Sequence, residues 1–157
     1  MILAAEPLVR WEWIPDHWDD IRAATTEHLQ LTGSSVAIGF VIAMVMAMLS
    51  IRWRFLYGPL SAVSGALYSI PSLALFALLV PFTGLGFRTA QIALISYTLL
   101  ILLRNIVTGI DGVPQSVKDA ADGMGYEPWR RFFAVDLRLA TPTIVSGLRI
   151  ATVTIIG

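Results

Sequence analysis

Few side chains in this sequence have the types and spacing that acid–base, nucleophilic or metal chemistry requires. The only histidines, His17 and His28, lie near the amino terminus, and there is no cysteine. No aspartate or glutamate occurs between His28 and Ile110, so the serines of that stretch lack the carboxylate and imidazole that would activate them. The Gly-Leu-Gly stretch at 84–86 is too short for a phosphate-binding loop. We therefore expect no catalytic residue, no metal site and no bound cofactor in this chain.

The composition indicates a membrane protein. Apolar residues make up 56% of the 157 residues and charged residues only 14%, whereas soluble domains average roughly 45–50% and about 25%. Eleven basic and eleven acidic side chains cancel, which leaves no basic field to bind nucleic acid. In the acid-free stretch, arginines separate the apolar segments. Each segment is close in length to the roughly 20 residues that a helix needs to cross a bilayer. We interpret the chain as an all-α integral membrane protein.

The apolar segments predict the domain organisation. The predicted spans are 32–51, 59–81, 89–109 and 140–157, with a cytoplasmic loop at 111–141. The last segment is marginal as a complete span and no polar tail follows it, so we expect a chain truncated after the start of a fourth transmembrane helix. Residues 1–31 are predicted to be an extracytoplasmic, amphipathic segment and residues 32–157 a transmembrane domain.

The amino-terminal segment carries side chains typical of a membrane surface. Trp11, Trp13 and Trp18 belong to a residue type that favours the headgroup level of a bilayer. We expect a helix or loop that lies on the membrane before the first span. A mobile tail is the alternative.

The distribution of basic residues predicts the orientation. The side that contains the amino terminus and the second loop carries Arg10, Arg22 and Arg88. The opposite side carries a larger set: Arg52, Arg54, Lys118, Arg130, Arg131 and Arg138. Because cytoplasmic loops hold the excess of lysine and arginine, we expect the amino terminus outside and the 111–141 loop in the cytoplasm.

Polar side chains within the predicted spans indicate either a translocation path or helix packing. Pro71 lies within a polar face of the second span and should bend that helix. An arginine in hydrocarbon usually faces a bundle interior or water, although Arg104 could instead snorkel to the cytoplasmic headgroups. The residues assigned to a path are Tyr68, Ser72, Tyr97, Arg104 and Asn105.

The first span contains a ladder of small side chains. Its members recur at every fourth position and are Ser35, Gly39, Ala43 and Ala47. Small residues allow close approach of another helix, and packing within the chain is the expected role.

The predicted cytoplasmic loop contains two short amphipathic helices. Proline at position 114 is favoured in a first helical turn. An apolar stripe at i, i+3, i+4 and i+7 follows, formed by Val117, Ala120, Ala121 and Met124. Gly125 closes this helix, and Pro128 opens the second. The apolar stripes require either the membrane face or a groove in a partner protein.

The sequence of this loop resembles the EAA loop of ATP-binding-cassette (ABC) importer permeases. That loop reads Glu-Ala-Ala, three residues, Gly, nine residues, Ile, any residue, Leu-Pro. The corresponding residues here are Asp119, Ala120, Ala121, Gly125, Val135 and Leu137. Arg138 replaces the family proline, and Pro142 could supply the break after the second short helix. The strings at 69–75 and 103–105 resemble in particular the branch that imports glycine betaine, choline, carnitine and related osmoprotectants.

The resemblance implies a MetI-like helical bundle in the cytoplasmic membrane of a prokaryote. It assigns coupling to the ATPase subunit to Val117, Asp119, Ala120, Ala121, Met124 and Gly125. The implied partners are an ABC ATP-binding subunit that binds the ATP, a second permease copy or paralogue, an extracytoplasmic substrate-binding protein and the bilayer. The alternative cargo is another small solute such as an amino acid. The alternative function is a non-transporting membrane anchor or assembly subunit.

Overall fold

The computed structural model describes Trp11 and residues 13–156, and the regular elements of this part are all helices. The all-α prediction is therefore confirmed. The helices are α1 (Trp13–Asp16), α2 (Trp18–Arg52), α3 (Tyr57–Ser69), α4 (Ser72–Thr83), α5 (Phe87–Asp111), α6 (Gln115–Gly123), α7 (Pro128–Arg131) and α8 (Leu137–Ile156). A 3-10 turn, Arg54–Leu56, precedes α3, and a π segment, Phe132–Asp136, joins α7 to α8.

The chain divides into two compact units at the junction of Gln30 and Leu31. In the amino-terminal unit the rings of Trp13 and His17 stack with centroids 4.2 Å apart, and Trp18 is exposed. Positions 1–10 and 12 of the predicted amino-terminal segment lie outside the described residues, as does position 157. The membrane-surface location and the orientation of this segment stay predictions.

Three helical runs in the described part are long and apolar enough to cross a membrane. They are Trp18–Arg52, Phe87–Asp111 and the continuous run Pro128–Ile156. The second predicted span, 59–81, is instead a bent pair of helices, α3 and α4, whose axes differ by 100°. Such a pair is either a broken span or a re-entrant loop.

The sharp bend follows from the local sequence. Ile70 is extended, with φ −72° and ψ 128°, because the ring of a following proline disfavours the helical region for the preceding residue. Pro71 has no N–H to continue the hydrogen-bond ladder of α3, and its carbonyl oxygen accepts the first bond of α4 from the Leu75 N–H at 3.0 Å. The bend predicted at Pro71 is confirmed, and it divides the segment into two helices.

Helix α5 forms the centre of the unit that begins at Leu31. Leu102, Leu103 and Ile106 on α5 have no exposed surface and belong to one cluster with buried residues of α2 and α8. The predicted ladder of α2, Ser35, Gly39, Ala43 and Ala47, is buried throughout. A Cβ added at Gly39 would lie 2.0 Å from Thr98 Oγ1 of α5, so the two helices meet at this glycine. Packing within the chain is therefore confirmed for the ladder.

Glycines also set the contact between α5 and α8. Gly147 of α8 faces Asn105, and a Cβ at that glycine would lie 2.5 Å from the Cβ of Asn105. Gly109 of α5 faces α8 in the same way, with Ala140 Cβ and Thr143 Cβ at 3.2 and 3.1 Å from an added Cβ. Because lipid tails are as apolar as the helices, such close packing replaces the hydrophobic effect as the force that joins them.

Candidate coupling site and translocation path

Helix α6 ends in a Schellman motif. The Gly125 N–H donates to the Asp122 carbonyl at 2.9 Å, and the Tyr126 N–H donates to the Ala121 carbonyl at 3.1 Å. This pattern requires a left-handed residue, and Gly125 has φ +79°. An L side chain in this conformation is disfavoured by roughly 1–2 kcal/mol. The prediction that Gly125 closes the helix is confirmed.

The predicted coupling residues do not share one exposed face. Asp119, Ala120 and Gly125 are exposed, and Met124 is 70% exposed. Val117 is half-buried, and Ala121 is 1% exposed.

The prediction that the apolar stripe forms a single docking surface is therefore wrong. Helix α6 ends at Gly123, and Met124 follows it as an exposed C-cap residue, whereas Ala121 is buried. Ala121 packs inside the chain, where α6 contacts α7 and the π segment. The exposed set, Asp119, Ala120, Met124 and Gly125, is named the α6 tip below.

The second predicted short helix is the beginning of a long one. Helix α7 continues through the π segment into α8 without a break as far as Ile156. The break that Pro142 could supply is not present, because Arg138 and Pro142 both lie within α8. Proline is tolerated inside membrane helices when neighbouring groups satisfy the freed carbonyl. The irregular point is the π segment, a feature frequent at functional sites.

An ion pair that the sequence did not reveal lies near the loop. Arg54 donates from Nη1 and Nη2 to the two carboxylate oxygens of Asp111, at 2.8 and 2.7 Å. This bidentate pair joins the turn before α3 to the end of α5, where the connection to α6 begins. No local spacing indicates the pair, because its members are far apart in the sequence.

Three of the residues predicted for a translocation path belong to the bend between α3 and α4. The Tyr97 hydroxyl of α5 donates a hydrogen bond to the Ile70 carbonyl at 2.7 Å. The rings of Tyr68 and Tyr97 meet edge to face with centroids 6.1 Å apart. Ser72 is the first residue of α4 and is exposed. Tyr68, 41% exposed, therefore presents an aromatic ring beside the bend.

The other two residues of the predicted path lie elsewhere on α5. The Asn105 side-chain amide donates to the Ile101 carbonyl at 2.8 Å and packs against Gly147, so Asn105 belongs to the contact with α8. Arg104 is exposed, two turns beyond Tyr97 along α5. The structure does not bring these side chains to the bend.

The substitution Tyr97→Phe should destabilise the protein by about 1 kcal/mol, because it removes the donor that satisfies the Ile70 carbonyl at the bend. Thermal unfolding in detergent measures this change. Tyr68→Phe is the control, since its ring contact with Tyr97 is retained. Equal melting temperatures for both variants would argue against a structural role for the Tyr97 hydroxyl.

A family model described as the binding-protein-dependent transport system inner membrane component matches residues 39–157. The chain belongs to this permease family. Its helical fold agrees: the MetNI methionine ABC transporter, solved in inward-facing conformations, superposes with a TM-score of 0.77 at 25% identity, over 91% of this chain and 72% of that chain. The MetI-like fold prediction is confirmed.

Curated relatives of this permease are named for osmoprotectant import. The chain is 32% identical to the osmoprotectant import permease protein OsmW of Salmonella typhimurium, over 87% of this chain and 66% of that protein. It is also 32% identical to the glycine betaine/carnitine/choline transport system permease protein OpuCB of Bacillus subtilis, over 85% and 61%. The ergothioneine transport permease/ergothioneine binding protein EgtU of Helicobacter pylori is 38% identical, over 81% and 22%. The chain thus spans less than two thirds of the length of the first two relatives.

Proposed function

We propose that this chain forms the membrane-spanning part of a permease subunit in an ATP-driven importer of quaternary ammonium osmoprotectants, such as glycine betaine, choline or carnitine. The observation that carries the proposal is the α6 tip, an exposed and conformationally fixed loop, in a chain whose relatives are named for this transport. The amino terminus lies outside the cell and α6 lies in the cytoplasm.

The α6 tip docks into a groove of a separate ATP-binding subunit, which binds the ATP. Met124 supplies an exposed apolar side chain, and Asp119 supplies a carboxylate whose Oδ1 accepts a hydrogen bond from the Gln115 side-chain amide at 2.8 Å. The Schellman motif fixes the direction in which Met124 projects, which lowers the entropy lost on docking. A second permease copy or paralogue and an extracytoplasmic substrate-binding protein complete the importer.

The bend between α3 and α4 provides the part of the path that suits the cargo. A quaternary ammonium is attracted to the face of an aromatic ring, and Tyr68 offers such a ring beside the bend. Tyr97 contributes by holding Ile70 in place, and Ser72 adds an exposed hydroxyl. Arg104 lies away from this group, so a cationic headgroup at the bend does not meet its charge directly.

The proposal is tested by uptake into proteoliposomes that contain the complete importer. Labelled choline should enter only when ATP is supplied, and excess glycine betaine or carnitine should suppress its entry while methionine does not. Competition by methionine alone would indicate that the importer carries amino acids instead. Absence of ATP-dependent uptake of every solute would favour a membrane anchor or assembly subunit.

A further inference from the structure

Arg131 lies between two acidic side chains from different elements. Its Nη1 donates a hydrogen bond to Asp122 Oδ2 on α6 at 2.5 Å. Its Nε lies 3.6 Å from Asp136 Oδ2 in the π segment. Arg131 therefore connects the helix that carries the α6 tip to the run that becomes α8.

The buried carboxylate of Asp136 requires a nearby cation. Asp136 is 4% exposed, and a carboxylate removed from water requires a nearby cation or hydrogen-bond donors. Arg131 and Arg52 line the same cavity as Asp136, about 590 Å³ in volume. Arg52 is exposed, and its guanidinium lies over the Trp53 ring at 5.8 Å. Arg131 is thus the cation paired with Asp136.

The contact between Arg131 and Asp136 is loose. A separation of 3.6 Å exceeds hydrogen-bond length. Arg131 Nε and Asp136 Oδ1 are buried and have no hydrogen-bond partner among the described residues. The guanidinium can therefore approach Asp136 more closely without losing a bond there.

We propose that Arg131 is a positioning residue that transmits displacement of α6 to α8. This inference rests on the proposed function, in which the ATP-binding subunit moves the α6 tip. An exposed ion pair alone contributes little to stability, but Arg131 belongs to the helical run that leads into the π segment and lies beside the buried Asp136 there. A pull on Asp122 therefore acts on the π segment, where the helical hydrogen-bonding register changes.

From the π segment the movement reaches the predicted path through helix packing. Helix α8 packs along α5 at Gly147 and Asn105. Helix α5 carries Tyr97, which holds the Ile70 carbonyl at the bend. Displacement of α6 thus reaches the bend through Arg131, α8 and α5.

The test measures solute transported per ATP hydrolysed in the complete importer in proteoliposomes. Asp122→Asn and Arg131→Gln should each lower this ratio by about fivefold or more, in the range typical of coupling between sites. The double variant should be no worse than either single variant, because both substitutions interrupt one connection. Arg131→Lys should recover part of the ratio.

Arg130→Gln is the matched control, because the neighbouring Arg130 guanidinium lies over the Tyr126 ring at 4.9 Å and forms no ion pair among the described residues. It should leave the ratio unchanged. A normal ratio in Arg131→Gln, or effects of Asp122→Asn and Arg131→Gln that multiply in the double variant, would overturn the inference. If Arg131→Gln does not fold, Asp122→Asn still tests the inference, because the Asp122 side chain is half-exposed in the wild-type protein. Failure of the wild-type importer to transport would instead contradict the proposed function.

Discussion

Gly125→Asp should abolish ATP-driven uptake while the protein still reaches the membrane in normal amount. The left-handed φ of +79° at this position disfavours any L side chain, by roughly 1–2 kcal/mol. The substitution would open the Schellman motif and place a carboxylate at the docking surface. Uptake of labelled choline, together with the amount of protein in isolated membranes, measures the effect.

Gly123→Asp is the matched control for this substitution. Gly123 ends the helical part of α6, its φ is not positive, and an added Cβ would have no neighbour within 4 Å. This variant should retain most of the uptake. Equal loss in both variants would show that the added charge, rather than the turn at Gly125, impairs docking.

Gly147→Ala should destabilise the helical bundle by about 1–3 kcal/mol, the usual effect of overpacking. The added Cβ would lie 2.5 Å from the Cβ of Asn105, which cannot move without its backbone. Helices α5 and α8 would have to separate at their contact. Thermal unfolding in detergent should show a lower melting temperature and a lower yield of folded protein.

Gly65→Ala supplies the control, because the nearest atom to its added Cβ is Leu100 Cδ1 at 3.9 Å, an ordinary contact. Alanine is favoured over glycine within a helix by about 1 kcal/mol. The control should therefore raise the melting temperature. A Gly147→Ala variant as stable as wild type would contradict the close approach of α5 and α8.

The helices and the loop closure could be predicted from the sequence because their signals are local. Apolar runs near the length of a bilayer crossing indicate the spans, and the absence of acids from the core supports them. Small residues at every fourth position on α2 predict a packing face, which is buried. Gly125 follows an amphipathic stripe at the position where a helix usually ends.

The features that sequence reasoning missed depend on geometry or on distant residues. Hydropathy is nearly continuous across Pro71, so it does not distinguish a kinked span from two helices at 100°. The stripe pattern placed Ala121 and Met124 on one docking face, whereas Ala121 is buried where α6 contacts other elements and Met124 is exposed. The pairing of Arg131 with Asp122 follows from the contact between α6 and α7, and its approach to Asp136 follows from the π segment; the sequence pattern indicates neither.

Labelling of a single introduced cysteine tests most directly whether the α6 tip docks a partner. The natural sequence has no cysteine, so Met124→Cys would carry the only thiol of this chain. Met124 is 70% exposed. A membrane-impermeant maleimide should therefore modify this thiol from the cytoplasmic side of inverted vesicles. Arg88→Cys is the control, because Arg88 is exposed in the first turn of α5, at the end of that helix predicted to lie outside.

The measurement compares maleimide labelling with and without the ATP-binding subunit. We expect this subunit to protect Met124→Cys from the maleimide and to leave the labelling of Arg88→Cys unchanged in vesicles of the opposite orientation. Equal labelling of Met124→Cys with and without the subunit would contradict docking at the α6 tip. Labelling of Met124→Cys from the outer side alone would contradict the cytoplasmic location of α6.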